Sequence, residues 1–255
     1  MQSLWGYSDF LSLLDKRPKI NDGIVVDTNI LISATYDGDV FNEQTNDLLD
    51  LVIENNIPLF YNVNVKSEFL EIQRRISFTL GLLSFESDIK FATLPTELAR
   101  RLGTIRANQT KREKAGRSNL RLSESEIKEF KNLMICETTP SGNLWRAFCR
   151  QYIGSELLES WDNAVNKFGL NALSLRAEDN NKHIQNPPIW EDAIELMSSE
   201  GLSSSDAMIV NMFQASNFEV ILSSDADVGT AIESLKRPDK ICILPDKIVK
   251  SIVIA

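Results

Sequence analysis

Gly23-Ile24-Val25-Val26-Asp27-Thr28-Asn29 is the stretch from which the rest of the chain can be read. The run from Gly23 to Val26 has the composition of a strand buried on both faces, as in a parallel sheet, with no polar alternation. Asp27, Thr28 and Asn29 stop that strand, and Ile30, Leu31 and Ile32 resume an apolar pattern suited to a helix. A strand feeding a helix in this way predicts an α/β fold. Asp27 then sits at the carboxyl end of a strand, where open α/β sheets bind ligands. An Asp in that place can equally be the cap of the helix that follows.

The same rhythm extends on both sides. Glu43 to Asn56 reads as a helix with Leu48, Leu51 and Val52 on one face. Pro58 to Tyr61 reads as a second strand, and Asn62 or Asn64 as the cap of a helix holding Val65, Phe69, Leu70 and Ile72. It returns after Pro188: a helix from Trp190 to Glu200 stopped by Gly201, another from about Ser203 to Ala215, and strands over Phe218–Leu222 and Lys240–Leu244. Strands alternating with helices predict βαβ units in an open parallel sheet flanked by helices. Residues 76 to 185 lack that alternation and predict an all-helical insertion. Its signals are Thr93 and Pro95 opening a helix, a Ser123–Glu126 capping box, an amphipathic run from Trp145 to Ile153, and a helix capped by Ser155. That last helix turns Leu158, Trp161, Val165 and Phe168 inward and ends at Gly169. The expected organisation is a discontinuous core of 20–75 plus 186–255, an insertion over 76–185, and a 1–19 extension packed on the core.

Composition narrows the chemistry. A hydrophobic content of 43% is ordinary for a globular chain of 255 residues, and no apolar run approaches the roughly 20 residues that span a bilayer. Met1 to Phe10 has no basic residue and no apolar signal core. Cys136, Cys149 and Cys242 are too scattered for a disulfide framework or a zinc cluster, so they read as buried thiols in a reducing cytoplasm, and the expectation is a cytoplasmic protein with no membrane contact. His183 is the only histidine and reads as an exposed loop residue. A hydrolase built on this chain must therefore work with carboxylates and metal ions.

Four acids occupy comparable places. Asp27 and Asp225 each end an apolar strand, Glu68 lies early in the helix after the second strand, and Asp206 lies in the first turn of the helix preceding the Asp225 strand. Strand carboxyl ends and helix amino ends meet at one edge of a doubly wound sheet, so all four can converge. Clustered carboxylates repel unless a cation is bound, and hard divalent ions such as Mg²⁺ or Mn²⁺ suit oxygen ligands. Each acid also has a structural alternative. Asp206 can complete a capping box with Ser203, Glu68 can be a solvated helix residue like Glu71, and Asp225 and Asp227 can be turn formers.

Val25-Val26-Asp27-Thr28-Asn29-Ile30-Leu31, Val65-Lys66-Ser67-Glu68-Phe69-Leu70, Ser205-Asp206-Ala207-Met208-Ile209-Val210 and Val220 to Asp227 resemble, in order and placement, the motifs of the PIN domain nucleases. The resemblance covers residues 20–75 and about 186–255; the long intervening segment departs from simple members of that family. It implies a metal-dependent ribonuclease in which Asp27, Glu68, Asp206 and Asp225, with Asp227 beside them, hold Mg²⁺ or Mn²⁺. Thr28, Asn29 and Ser223 would then orient these acids or touch the phosphate. Many relatives are toxins held by an antitoxin, so an antitoxin or other protein partner belongs to the same expectation. Two rival readings remain. One is another Mg²⁺-dependent phosphoryl-transfer enzyme, although Asn29 replaces the second acid of a haloacid-dehalogenase-like phosphatase and a Toprim-like pairing of Asp225 and Asp227 leaves Asp27 and Asp206 unexplained. The other is a non-catalytic RNA- or protein-binding module.

The net charge of −9 conceals a polarised chain. Between Leu98 and Arg121, Arg100, Arg101, Arg106, Lys111, Arg112, Lys114, Arg117 and Arg121 are opposed only by Glu113. Such a segment either contacts an RNA backbone or forms a solvated face. The polar stretch 108–119 reads as mobile in the absence of a ligand.

Overall fold

The computed structural model describes residues 3–88, 94–115, 120–139, 142–173, 182–184 and 186–254. Its contacts divide the chain into two units, Met1–Phe69 with Ala164–Ala255, and Leu70–Asn163.

The first unit is built on a six-stranded, wholly parallel sheet flanked by helices. Along the chain its strands are β1 (Leu4–Gly6), β2 (Ile24–Val26), β3 (Leu59–Tyr61), β6 (Leu170–Ala172), β7 (Val220–Leu222) and β8 (Ile241–Leu244), and they lie in the order β1-β8-β7-β2-β3-β6. Chain order reverses between β2 and β7: from β2 the sheet grows through β3 and β6 on one side, and through β7 and β8 on the other. Such a switch point opens a crevice at the strand carboxyl ends. In the register, Val26 stands beside Leu222, and Leu222 beside Ile243. The three central strands are apolar throughout because both of their faces are covered, and every residue of β2, β7 and β8 is buried.

Turn chemistry sets the edges of these elements. Gly23 enters β2 at φ 138°, and a Cβ there would lie 2.4 Å from the Phe60 ring and 2.8 Å from that of Phe218. The space it leaves holds an aromatic stack: Phe60 and Phe218 are 4.5 Å apart, and His183 lies 4.9 and 5.2 Å from them. His183 is thus a half-buried packing residue and not the exposed loop residue expected, and burial lowers its pKa. Lys240, polar in sequence, is 2% exposed; its ammonium donates to the carbonyls of Phe213, Ser216 and Phe218 at 2.9, 2.7 and 2.6 Å. Three acceptors match its three donors, which ties the turn before β7 to the start of β8.

Helices α1 (Phe10–Lys16), α2 (Thr28–Thr35) and α3 (Asn42–Glu54) link the early strands, and α4 (Val63–Asp88) follows β3. Asn62 caps α4, accepting from Val65 N–H at 2.9 Å. In the second unit, α4 meets α5 (Thr96–Lys114), α6 (Glu124–Ile135) and α7 (Leu144–Tyr152) around an apolar cluster that includes Phe78, Phe85, Leu102, Phe130 and Phe148. The capping box of Ser123 and Glu126 opens α6 as expected. Gly81 lets α7 approach α4; a Cβ there would stand 2.7 Å from Tyr152 Cβ. Helix α8 (Gly154–Phe168) leads back to the sheet unit, where α9 (Trp190–Glu200), α10 (Ser204–Ala215), α11 (Ala226–Ser234) and α12 (Asp246–Ile254) complete the fold. Gly201, at φ 72°, ends α9.

Several expectations are corrected. Segment 76–185 is not wholly helical: β6 pairs with β3, and a two-residue hairpin, β4 (Thr138–Thr139) with β5 (Gly142–Asn143), lies in the second unit. β6 escapes a pattern reading because Leu170-Asn171-Ala172 is short, and as an edge strand it buries only Leu170. Residues 3–6 are likewise no mere extension, since β1 is the opposite edge strand, paired with β8. Leu158 points out, 72% exposed, although Trp161 is buried. Cys136 is exposed and Cys149 half-buried; only Cys242 is a buried thiol. Of the 108–119 stretch expected to be mobile, 108–114 belong to α5, and 116–119 lie outside the described residues. Thr93 lies outside the described residues. No described helix is long and apolar enough to cross a membrane.

Candidate functional site

Asp27 ends β2 and caps α2: its Oδ1 accepts the Thr28 N–H at 2.6 Å. Its other oxygen, Oδ2, accepts from the Ser223 hydroxyl at 2.6 Å and lies 3.5 Å from the Asn29 amide nitrogen. Ser223 follows β7 directly, so this hydrogen bond spans the switch point. The Asp27 carboxyl is fully buried. Burial, aided by the charges of Asp206 and Glu68, pushes its pKa up to about 7 against the opposing pull of the Ser223 hydroxyl and Thr28 N–H.

Asp225 caps α11, accepting from Asp227 N–H at 2.8 Å, and its own N–H donates to Ser223 Oγ at 3.0 Å. Asn29 Nδ2 stands 3.5 Å from Asp225 Oδ2, the same distance as from Asp27, so one amide faces carboxylates from both sides of the switch point. Glu68, one turn into α4, accepts at Oε2 from Thr28 Oγ1 at 3.0 Å and from Ser205 Oγ at 2.9 Å. Asp206 accepts from Ser203 Oγ at 2.6 Å, and its N–H donates to the same hydroxyl at 3.2 Å. The pKa values of Glu68 and Asp225 are also raised, first by burial. The Asp206 charge adds to both, with Asp225 contributing at Glu68 and Asp227 at Asp225.

The structure therefore brings Asp27, Glu68, Asp206 and Asp225 into one electrostatic neighbourhood at the strand carboxyl ends. Thr28, Asn29 and Ser223 stand among them, and Asp227 is exposed at the rim. Among the described residues no Lys or Arg is ion-paired with any of the four acids. Their hydrogen-bond partners among the described residues are hydroxyls and amides, and these leave the mutual repulsion in place. The donor set is carboxylate oxygen, which suits a hard divalent cation. As the side chains stand, however, no group of three or more His, Cys, Asp or Glu among the described residues closes on a common ion position.

Ser205, which donates to Glu68, is not singled out by the sequence. It precedes Asp206 at a helix start, a hydroxyl-rich position compatible with capping alone; its partner Glu68 lies 137 positions away, beyond any local pattern.

The basic segment lies in the second unit, mostly on α5. Arg100 and Arg101 both pair with Glu97, and Arg101 also with Glu129. Glu97 falls one position before the basic run, so a count starting at Leu98 misses the carboxylate that balances it. Arg106 donates to the Leu83 carbonyl at 3.0 Å. Lys111, Arg112 and Lys114 occupy the last turn of α5, where cations complement the helix dipole. Arg121 is exposed just before α6 and Arg117 lies outside the described residues.

Compared with models of protein families, with curated proteins and with solved structures, the chain gives no match in any of the three.

Proposed function

We propose that this protein is a metal-dependent ribonuclease of the PIN type, hydrolysing RNA phosphodiester bonds at the carboxyl edge of its sheet. The supporting observation is the convergence of four acids from four separate segments at the switch point, buried enough to hold Asp27 near neutrality. Asp27, Glu68, Asp206 and Asp225, with Asp227 at the rim, are the residues that would hold Mg²⁺ or Mn²⁺. Such an ion supplies an activated water and neutralises charge developing on the phosphate.

The chain's own groups have definite tasks in this reading. Ser223 fixes one oxygen of Asp27, and Thr28 with Ser205 fixes one oxygen of Glu68, so each carboxylate keeps its other lone pairs for a ligand. Asn29 spans Asp27 and Asp225 and limits their separation. To hold a cation Asp27 would have to be ionised, so binding would strengthen as pH rises through about 7. The cytoplasm, an RNA substrate, the basic α5 face as its clamp, and an antitoxin-like protein partner belong to the same proposal.

A second reading is favoured by the capping geometry. Asp27 and Asp225 are helix N-caps, Asp206 is held by the N-cap Ser203, and no three acids close on one point. On that basis the edge would be a structural element of a non-catalytic binding module.

Incubation of the full chain with single-stranded RNA separates them. The nuclease reading expects cleavage with Mn²⁺ or Mg²⁺, none in EDTA, and none from Asp27→Asn or Asp225→Asn. RNA left intact by wild type under all metal conditions supports the module. Phosphate release from p-nitrophenyl phosphate without RNA cleavage would indicate a phosphatase instead.

A further inference from the structure

The amino side of the sheet unit carries a feature unconnected with the acids. An open cavity of about 510 Å³ is lined by apolar Trp5, Leu13 and Pro18, by the cations Lys16, Arg17 and Lys19, and by Glu219. Arg17 and Pro18 lie in the segment leading into β2, and Glu219 directly precedes β7, so the cavity belongs to the sheet end opposite Asp27 and Asp225.

The charged wall is arranged. Lys16 Nζ lies 5.4 Å from the centroid of the Trp5 ring, within cation–π range. The two oxygens of Glu219 face different cations, Arg17 at 3.4 Å and Lys19 at 3.6 Å, and Arg17 also donates to the Pro238 carbonyl at 2.9 Å. These contacts explain Arg17 and Glu219 as a staple between the start of β2 and that of β7, both side chains being mostly buried. They do not explain the rest. Lys19 remains 71% exposed, Lys16 lies over an indole, and the cavity lining holds three cations against one carboxylate in a chain of net charge −9.

Size and chemistry together select a ligand class. The cavity falls within the roughly 300–1,000 Å³ typical of small-molecule sites and exceeds what a lone inorganic anion fills. Its indole and proline walls suit a planar ring, and its lysines suit a phosphate placed beside that ring. We propose that this cavity binds a nucleoside monophosphate or the equivalent unit of a nucleic acid terminus, with the base against Trp5 and Pro18 and the phosphate at Lys16 and Lys19. Arg17, already engaged by Glu219 and Pro238, contributes charge and shape. This second site is separate from the acidic edge and does not rest on the nuclease reading.

Calorimetric titration of the full chain with AMP, GMP, CMP and UMP at about 0.15 M ionic strength tests it. At least one nucleotide should bind roughly tenfold more tightly than its nucleoside or inorganic phosphate alone. Lys16→Glu/Lys19→Glu, changes at the surface, should weaken that binding roughly tenfold or more with an unchanged melting temperature. Trp5→Leu should weaken it about fivefold or more. If Trp5→Leu lowers the melting temperature, the lysine variant decides alone. A short RNA carrying a terminal phosphate, binding better than any mononucleotide and losing affinity in the same variants, would identify the terminus as the source. Absence of binding by all four nucleotides and the RNA, or binding indifferent to the lysine change, overturns the proposal. So does inorganic phosphate binding as tightly as the nucleotides.

Discussion

Both units bury polar side chains, among them Gln73, Ser77, Thr79 and Gln109 in the second, but among the described residues only the sheet unit buries an Asp or a Lys. The cluster of the second unit, from Phe78 to Ile153, is aliphatic and aromatic, and its aromatic rings meet at 5.1 to 6.3 Å. The sheet unit buries Asp27, Thr28, Asn62, Ser223 and Lys240 alongside its apolar strands. Lys240 there is fully matched by three carbonyls, whereas Asp27 is matched by short-range donors yet surrounded by like charge. A buried polar group with all its partners is architecture. One whose charge is opposed by burial and, less, by like-charged neighbours is a candidate for holding a counter-ion, since such perturbed groups concentrate at functional sites.

That contrast can be broken most forcefully in the second unit. Phe148 is 1% exposed at the centre of its cluster, and Phe148→Ala should cost about 3–5 kcal/mol, with no change in the pH dependence of stability. Urea melts at pH 5 and pH 8 check both parts; a loss below about 1 kcal/mol would mean the cluster does not hold the unit together.

Asp27→Asn should act in the opposite direction. The folded pKa of Asp27 is raised from 3.8 to about 7. Its favourable contribution is therefore fully present below the unfolded pKa and is lost as pH rises through about 7. An amide keeps the capping acceptor and carries no charge, so without metal the variant should gain on the order of 2–4 kcal/mol at pH 8 and little at pH 4. Loss of stability at pH 8 would show that Asp27 is a cap alone.

Ser205→Ala removes one of two donors to Glu68. It should weaken Mn²⁺ binding roughly 10- to 100-fold with no loss of melting temperature. Unchanged Mn²⁺ affinity by calorimetry would reduce Ser205 to a helix-start residue.

The smallest expected effect lies in the basic segment that begins on α5. Replacing Arg106, Lys111, Arg112 and Arg117 with Ala should lower the salt slope of RNA affinity by roughly three to four. Arg100→Ala should change it less, because Arg100 is already paired with Glu97. An unchanged slope in the fourfold variant would make this face a solvated surface.

Sequence legibility follows the same division. Strands β2, β7 and β8 could be read because burial on both faces demands continuous apolar runs, and Asp27 and Asp225 because polar residues at their ends interrupt them. The helices of the second unit were readable through 3.6-residue periodicity and local caps such as Ser123. β1 and β6 were not, since a three-residue edge strand needs only part of its side chains buried. Thr28 and Ser223 were expected beside the acids and Ser203 beside Asp206, but the pairing of Ser223 with Asp27 and that of Ser205 with Glu68, contacts across 196 and 137 positions, were not legible, nor were the Glu97 and Glu129 partners of the basic run. Local pattern carries no trace of them.

Asp27, Glu68, Asp206 and Asp225 are proposed to form one cation site. Anomalous diffraction from crystals soaked in Mn²⁺ addresses it directly. One or two manganese peaks are expected at the β2–β7 switch point, within about 2–2.5 Å of oxygens from at least three of these acids, the side chains having closed on the ion. Crystals that diffract well but show no peak at that edge, or a peak bound only elsewhere, would contradict it.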